Sequence, residues 1–180
     1  GPSAVSPEEV FAFARHGPLA TAKRMKVRVA ILGAKGLGNC KHFRRAARGA
    51  RIDAYCMCEV PHKPETRIRT KAVANSSAPA WTHAAEIANW LPGESLVFSV
   101  WHSGLASRDV ALGAAKLQST RFASSGGGFD GELALLQHGR CTGASVKVRV
   151  DVLRPAPVTE RRPSVIESWL SESSEDDGSD

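Results

Sequence analysis

The stretch SVKVRVDVL, residues 145–153, decides the fold class of this chain. Its apolar positions recur every second residue, at Val146, Val148, Val150 and Val152. Charged side chains occupy the positions between them. Successive side chains of a β-strand point to opposite faces, so this alternation predicts a strand with one face in an apolar core and the other in water.

The same alternation recurs at short intervals over about residues 25–153. Turn-forming Gly, Pro, Asn and Ser residues separate the segments, and no long helical pattern lies between them. Parallel strands would need such crossover helices. The pattern therefore predicts an all-β fold, an eight-stranded antiparallel β-sandwich. We predict the strands near residues 27–31, 53–60, 67–73, 81–87, 95–101, 110–117, 131–136 and 145–153.

The length of 180 residues fits one domain with flanking segments. We assign residues 1–24 to a protease-cleavage remnant and a linker with a short helix starting at Ser6-Pro7. Residues 25–154 form the sandwich domain. Residues 155–180 form an acidic, Ser-rich tail that is too polar to fold alone and is expected to be disordered.

Composition restricts the cellular setting. No apolar run approaches the roughly 18 residues of a membrane-spanning helix, and the N-terminus shows no signal-peptide pattern. Four cysteines in a chain of this length do not form a disulfide scaffold. We therefore expect a reducing, cytoplasmic location.

Charge is unevenly distributed along the chain. The formal net charge is +6, but residues 159–180 hold seven carboxylates and two arginines and so carry −5, leaving +11 on the rest. A basic body indicates an anionic partner, which is a lipid surface, a nucleic acid or an acidic protein. Nucleic acid is disfavoured, because neither a known binding module nor an aromatic stacking platform is visible.

Four short motifs point to a family. Residues 26–37 read KVRVAILGAKGL and end in an A-x-G-L pattern, and residues 52–56 read IDAYC, similar to S-D-P-Y. Residues 70–81 combine TKAVAN with APAW, similar to T-K followed by N-P-x-W, and LVFSVW at 96–101 precedes VALG at 110–113. In this order, over about residues 25–153, they resemble a C2 domain, a β-sandwich module best known for binding calcium and phospholipids.

The chain departs from that family at the calcium ligands. The resemblance retains Asp53 in the first loop, but His102, Gly104 and Val110 stand where third-loop carboxylates are expected. Ser107 occupies a lesser ligand position, and Asp109 lies one residue out of register. Calcium takes six to eight oxygen ligands, and one or two carboxylates replace its hydration shell poorly. We expect no tight calcium site and no other cofactor, with Asp53 holding its loop through hydrogen bonds.

Basic residues replace the missing carboxylates. The first loop carries an aromatic residue, Phe43, among five cations: Lys41, Arg44, Arg45, Arg48 and Arg51. Such cations attract anionic headgroups, at about 1 kcal/mol each, and the ring is suited to insertion. A second basic stripe comprises Arg67, Arg69 and Lys71, with Lys63 nearby. The resemblance implies that this stripe binds phosphoinositides, as the corresponding strand does in many C2 domains.

These features predict a module that binds anionic, phosphoinositide-bearing membrane without calcium and targets or scaffolds a larger protein as a peripheral membrane component. The alternative is a protein-interaction module whose basic surface meets an acidic partner or the chain's own tail. No nucleophile elbow, P-loop or paired-carboxylate motif is present, so we expect no catalytic residues and no enzyme. Cys56 and Cys58 share one strand face and are interpreted as buried hydrophobic residues rather than zinc ligands.

The tail contains candidate phosphorylation sites. Ser164 follows Arg161-Arg162-Pro163, a pattern typical of basophilic kinase sites. Ser171, Ser173 and Ser174 lie among acidic residues, as in acidophilic sites. Each phosphate adds a charge of about −1.5 to −2, which would strengthen competition between the tail and lipid for the basic body.

Overall fold

Eight antiparallel strands make up the fold. The computed structural model describes residues 23–40, 51–104, 108–124 and 126–155. Its strands are β1 (Met25–Lys35), β2 (Ala54–Val60), β3 (Lys63–Arg69), β4 (Ala80–Trp90), β5 (Leu96–His102), β6 (Val110–Leu117), β7 (Phe129–Gln137) and β8 (Arg140–Leu153). Single 3₁₀ turns lie at Leu37–Asn39 and Ser119–Arg121. The predicted all-β, eight-stranded antiparallel architecture is confirmed.

Hydrogen bonding orders the strands β3-β2-β5-β6-β7-β8-β1-β4. The β6–β7 junction is narrow, with Ala114 and Leu136 as its paired residues. The order folds over at this junction, so β3-β2-β5-β6 and β4-β1-β8-β7 form two layers around one core. Inward side chains from both layers make a continuous apolar cluster, which includes Val29, Phe98 and Val148.

The alternating valines of β8 determine the central pairing. Val148 and Val150 lie opposite Ile31 and Val29 of β1, and all four side chains are fully buried. Each strand thus presents an unbroken apolar stripe to the core and a polar stripe to solvent. Burying a side chain of this size contributes about 1.5–3 kcal/mol, which makes this ladder a major source of stability.

The third strand differs from its prediction. The sequence favoured residues 67–73, whereas β3 spans Lys63–Arg69. A two-residue turn after Val60, with His62 at φ 65°, starts the strand early. The Thr70 hydroxyl accepts a hydrogen bond from the Cys56 backbone N–H at 3.0 Å, and the strand ends there. Lys71 therefore lies beyond the strand, in the connection to β4.

Strands β4, β7 and β8 are longer than predicted. β8 begins at Arg140 rather than Ser145, because a tight turn at His138-Gly139 joins it directly to β7. Both turn residues have positive φ, 50° and 73°, as expected for a two-residue hairpin turn. The predicted helix near the N-terminus and the predicted disordered tail lie outside the described residues.

The described parts of three connections meet at one end of the sandwich, here named the loop end. They are residues 36–40 and 51–53 between β1 and β2, 70–79 between β3 and β4, and 103–104 and 108–109 between β5 and β6. Backbone hydrogen bonds join them. The Ser76 N–H donates to the Ile52 carbonyl at 2.9 Å, and the Leu37 N–H donates to the Ser77 carbonyl at 3.2 Å. The loop end is therefore a bonded unit, not three independent loops.

Gly36 provides a test of this packing. Its φ is +73°, and a Cβ built there would lie 2.6 Å from the Gly143 carbonyl oxygen. Gly139 has the same φ of +73°, but a Cβ there would meet nothing within 4 Å. Gly139→Ala should cost about 1 kcal/mol, which reflects the left-handed conformation alone. Gly36→Ala should cost about 1–3 kcal/mol more, because the backbone must move.

Urea unfolding of the two variants and the parent chain measures this difference. Since the backbone conformation is matched, the excess loss in Gly36→Ala reports the close approach between the β1 end and β8. Equal losses in the two variants would contradict the assigned packing.

Candidate functional site

Asp53 organises the loop end. Its carboxylate Oδ1 accepts a hydrogen bond from the Asn75 N–H at 2.8 Å. Its backbone N–H donates to His102 Nδ1 at 3.1 Å, and its carbonyl accepts from the Ser103 N–H at 2.8 Å. One residue thus ties together all three connections. The expectation that Asp53 holds its loop through hydrogen bonds is confirmed.

A second cluster joins Tyr55 of β2, Arg69 of β3 and Asp109, the residue before β6. The Tyr55 hydroxyl donates to Asp109 Oδ2 at 2.5 Å. The Arg69 guanidinium lies over the Tyr55 ring, 3.9 Å from its centroid, and 3.9 Å from Asp109 Oδ2. Asp109 Oδ1 also accepts from the Gly104 N–H at 3.2 Å. The arrangement places a cation, an aromatic ring and a carboxylate in mutual contact at the loop end.

These contacts lower the pKa of Asp109 and raise the pKa of Tyr55. The pKa of Asp109 is lowered, chiefly by the Tyr55 hydrogen bond and then by the Gly104 N–H, with Arg69 adding to the effect. The pKa of Tyr55 is raised, first by its burial and then by the hydrogen bond to Asp109. Asp109 is thus an ionised acceptor and Tyr55 a neutral donor at neutral pH.

The cluster belongs to a larger surface, which we name the front face: the outward side of the layer β3-β2-β5-β6. Cross-strand pairing places Tyr55 opposite Trp101, and Met57 opposite both Ser99 and Arg69. The Trp101 indole N–H donates to Ser99 Oγ at 2.9 Å. Aromatic and apolar side chains, among them the half-buried Met57 and Trp101, therefore occupy the middle of the front face.

Cations border this apolar centre. Arg69 lies opposite Met57, and the exposed Lys116 of β6 lies opposite Val97. Arg67 is paired with Glu59 of β2, with Nε 2.8 Å from Oε2. Among the described residues, neither Lys71 nor Lys116 forms an ion pair. The front face thus combines aromatic surface with cations that are only partly neutralised.

The outward side of β4-β1-β8-β7, here named the back face, follows a different pattern. Arg28 of β1 lies between Glu86 and Asp151 on its neighbouring strands. Arg149 and Lys147 of β8 lie opposite Asp130 and Glu132 of β7. Each of these cations has a carboxylate as its cross-strand neighbour, an arrangement typical of a solvated sheet face. The charge pattern therefore distinguishes the front face as the functional candidate.

The structure brings some of the predicted site residues together. Arg67 and Arg69 lie on the front face, and the exposed Arg51 lies at the loop end next to Asp53. Lys63 is directed elsewhere, with its ammonium 2.6 Å from Glu94 and donating to the Asn89 carbonyl. The remaining predicted residues lie outside the described residues: Lys41, Phe43, Arg44, Arg45, Arg48, Ser107, Ser164, Ser171, Ser173 and Ser174.

Sequence reasoning missed Tyr55 and Trp101 as site residues. The signal was present, because the two-residue period that places Cys56 and Val100 in the core must place Tyr55 and Trp101 on the opposite face. What the pattern could not show is that these two residues lie side by side on neighbouring strands.

The two strand cysteines, Cys56 and Cys58, are part of the core. Cys56 and Cys58 are fully buried in the core, as predicted, and burial raises the pKa of both thiols. Within the described ranges, no three His, Cys, Asp or Glu side chains are placed to hold a metal ion. No helix in the described part of the chain has the length and apolar character needed to cross a membrane.

Comparison with known proteins agrees with this geometry. A family model described as C2 domain matches residues 25–133. A single C2 domain of a plant extended synaptotagmin 1 superposes with a TM-score of 0.58 at 16% identity, covering 72% of this chain and 95% of that one. No curated protein sequence matches the chain.

Larger proteins contain the same fold. Human GIVD cytosolic phospholipase A2 gives a TM-score of 0.58 at 15% identity, covering 75% of this chain. A region of extended synaptotagmin 2 that holds its SMP domain and two C2 domains gives 0.56 at 15% identity, covering 93%. The matched region spans 17% of the phospholipase chain and 33% of the synaptotagmin region. At such identities the likeness shows the fold alone.

The Tyr55–Asp109 hydrogen bond gives a titration test. In Tyr55→Phe the pKa of Asp109 should rise towards the ordinary value of about 3.9, because its main stabilising donor is removed. A lowered native pKa stabilises the fold above about pH 4, and this contribution is lost as the pH falls through the native value. NMR titration of the Asp109 carboxyl carbon measures the shift.

Glu132 is the matched control. It lies on the back face, and its pKa is lowered chiefly by its hydrogen bond from Lys35. Its titration should be the same in both proteins. An unchanged Asp109 titration in Tyr55→Phe would show that the hydroxyl contact is wrongly assigned.

Proposed function

The chain belongs to the C2 domain family, and on that premise we propose that it binds anionic membrane surfaces without calcium, through the front face and the loop end. The observation that carries the proposal is the contrast between the two sheet faces. The back-face cations Arg28, Lys147 and Arg149 lie opposite carboxylates. On the front face Arg67 pairs with Glu59, but Arg69 and Lys116 lie opposite Met57 and Val97. A less neutralised basic face with aromatic surface suits an anionic interface.

Phosphoinositide headgroups are the proposed ligands. The planar guanidinium of an arginine can donate two parallel hydrogen bonds to the oxygen atoms of a phosphate. The Arg69 guanidinium is already stacked on the Tyr55 ring, 3.9 Å from its centroid. This stacking restricts the side chain before binding and so reduces the entropy lost on contact with a phosphate. Arg67, on the same strand, supplies a second guanidinium.

The loop end is proposed to meet the membrane together with the front face. Arg69 and Lys71 lie at the loop end of β3, and Arg51 lies at the return of the first loop. The sequence between Cys40 and Arg51 adds Lys41, Arg44, Arg45 and Arg48, with Phe43 as the candidate insertion residue. Of the cations in these two connections, the structure describes Arg51 and Lys71, which lie at one end of the sandwich, where their attraction to a charged surface adds up.

The proposal of calcium independence is supported by the hydrogen bonds that the Asp53 and Asp109 carboxylates already accept. Asp53 Oδ1 accepts from the Asn75 N–H. Asp109 accepts from the Gly104 N–H and the Tyr55 hydroxyl, and the Arg69 guanidinium lies beside it. A calcium ion would have to displace these donors and would still find too few oxygen ligands. The positive charge of Arg69 would also repel it.

In this proposal the domain performs no catalysis. It places a larger protein at a membrane as a peripheral component, in the cytoplasm. A second candidate is an acidic protein partner, favoured by the half-buried Met57, Val97 and Trp101 among the cations. Arg and Trp are enriched at the energetic centres of protein interfaces. Binding to lipid vesicles in the absence of any protein separates the two candidates.

Vesicle co-sedimentation tests the membrane proposal. The probes are phosphatidylcholine vesicles alone, with phosphatidylserine, and with a phosphoinositide. The parent chain should bind the two anionic preparations and lose binding as salt rises. Arg67→Gln/Arg69→Gln should bind about tenfold more weakly, since each cation near the surface contributes about 1 kcal/mol and Glu59 and Asp109 offset part of this.

The matched control is Arg28→Gln/Arg149→Gln, which removes the same charge from the back face. Those side chains are similarly exposed, at 55% and 57%, compared with 48% and 55% for Arg67 and Arg69. The control should bind within about twofold of the parent chain. Equal losses of affinity in both double variants would show that binding depends on net charge alone and not on the front face. A parent chain that ignores anionic vesicles would refute the membrane proposal.

Thermal unfolding tests calcium independence. The unfolding midpoint should be the same in calcium and in chelator, because the proposed domain has no calcium site. A working site would stabilise the fold by about 2.7 kcal/mol at a calcium concentration one hundred times its Kd. Vesicle binding should likewise be equal in the two conditions. A higher midpoint in calcium that disappears in Asp53→Asn would show a working calcium site and contradict the proposal.

A further inference from the structure

Asp109 is the acidic group nearest to the proposed headgroup contact. Its Oδ2 lies 3.9 Å from the Arg69 guanidinium, and both side chains are partly exposed, at 34% and 55%. The carboxylate comes from the β5–β6 connection, not from the sheet that carries Arg69. A lipid phosphate approaching Arg69 therefore meets a negative charge already positioned beside it.

The carboxylate cannot easily swing away from this position. The Tyr55 hydroxyl holds Oδ2 at 2.5 Å, and the Gly104 N–H holds Oδ1 at 3.2 Å. Tyr55 is also the ring on which Arg69 is stacked. One tyrosine thus fixes both the cation and its competing anion.

Arg69 does not depend on this ion pair to remain in place. The ring stacking restrains the guanidinium independently of the carboxylate, and an exposed pair at 3.9 Å contributes little to stability. The repulsion between Asp109 and an incoming phosphate, in contrast, acts at short range and grows as water leaves the interface.

We propose that Asp109 is a built-in counter-ion that competes with anionic phosphate for Arg69 and holds the membrane affinity of the domain below what its cations could provide. This inference rests on the proposed function, since it concerns the same front-face contact. It assigns to Asp109 a role that opposes binding, in place of the cation-binding role suggested by its position in the third loop.

The test is a double-mutant cycle between Asp109→Asn and Arg69→Gln, measured with phosphoinositide-containing vesicles. Asn keeps the shape of Asp: its Oδ1 can accept from the Gly104 N–H, and its Nδ2 can donate to the Tyr55 hydroxyl oxygen, which reverses the direction of that bond. Asp109→Asn should bind about two- to fivefold more tightly than the parent chain, in line with the size of an exposed ion pair. In the Arg69→Gln background the gain should fall to less than half of that.

Asp130→Asn is the matched control, because it removes one charge from the back-face pair with Arg149. Its affinity should change by less than the gain in Asp109→Asn. Circular dichroism and urea unfolding check that each variant is folded. If Asp109→Asn does not fold, Asp109→Ser removes the same charge and keeps a hydroxyl.

The outcomes separate this inference from the proposed function. Parent binding that depends on Arg67 and Arg69, with no gain in Asp109→Asn, would overturn the counter-ion role alone. An equal gain in Asp130→Asn, or an undiminished gain without Arg69, would also overturn it. If neither the parent chain nor Asp109→Asn binds anionic vesicles, both proposals fail. Binding by Asp109→Asn alone would refute the proposed function of the parent chain and would still support the counter-ion role of Asp109.

Discussion

The burial of the apolar faces of β1 and β8 is the constraint on which the rest of the structure depends. Val29 lies opposite Val150 and Ile31 lies opposite Val148, and none of these side chains is accessible to solvent. A shift of one residue in this register would turn all of them outward and expose the charged positions to the core. The registers of β4 and β7, which pair with these strands, are fixed in turn.

This rigid centre makes the loop end possible. β1 ends beside β8, and the connection continues through Gly36, where the backbone passes too close to Gly143 for a side chain. Asp53 then bonds the first connection to Asn75 and Ser103 of the other two. The described parts of the three connections thus form one surface, because backbone groups and a single carboxylate satisfy one another.

The electrostatics of that surface support the proposal that this C2 domain has acidic residues in its loops without binding calcium. The Asp53 and Asp109 carboxylates both accept hydrogen bonds from the protein itself, and the Arg69 guanidinium lies beside Asp109. The Arg69 guanidinium thus lies beside the oxygen atoms that a bound metal ion would need as ligands. In the proposed function the same guanidinium binds anions, which turns a cation-binding end into an anion-binding one.

The sequence by itself determined the eight strands, their antiparallel arrangement and which side of each strand is buried, because a period of two residues is a local property that needs no knowledge of neighbours. It also placed Arg67 and Arg69 on one side of a strand and led to the expectation that the calcium ligands are incomplete. It misplaced the limits of β3: the strand ends at Arg69, and the next residue, Thr70, accepts the Cys56 backbone N–H of β2 with its side-chain hydroxyl. Tertiary structure decided three further features: the pairing of Tyr55 with Trp101, the contact of Asp109 with Arg69, and the carboxylate neighbours of back-face cations. Each depends on which residues face each other across strands, and that register is fixed only when the whole core packs.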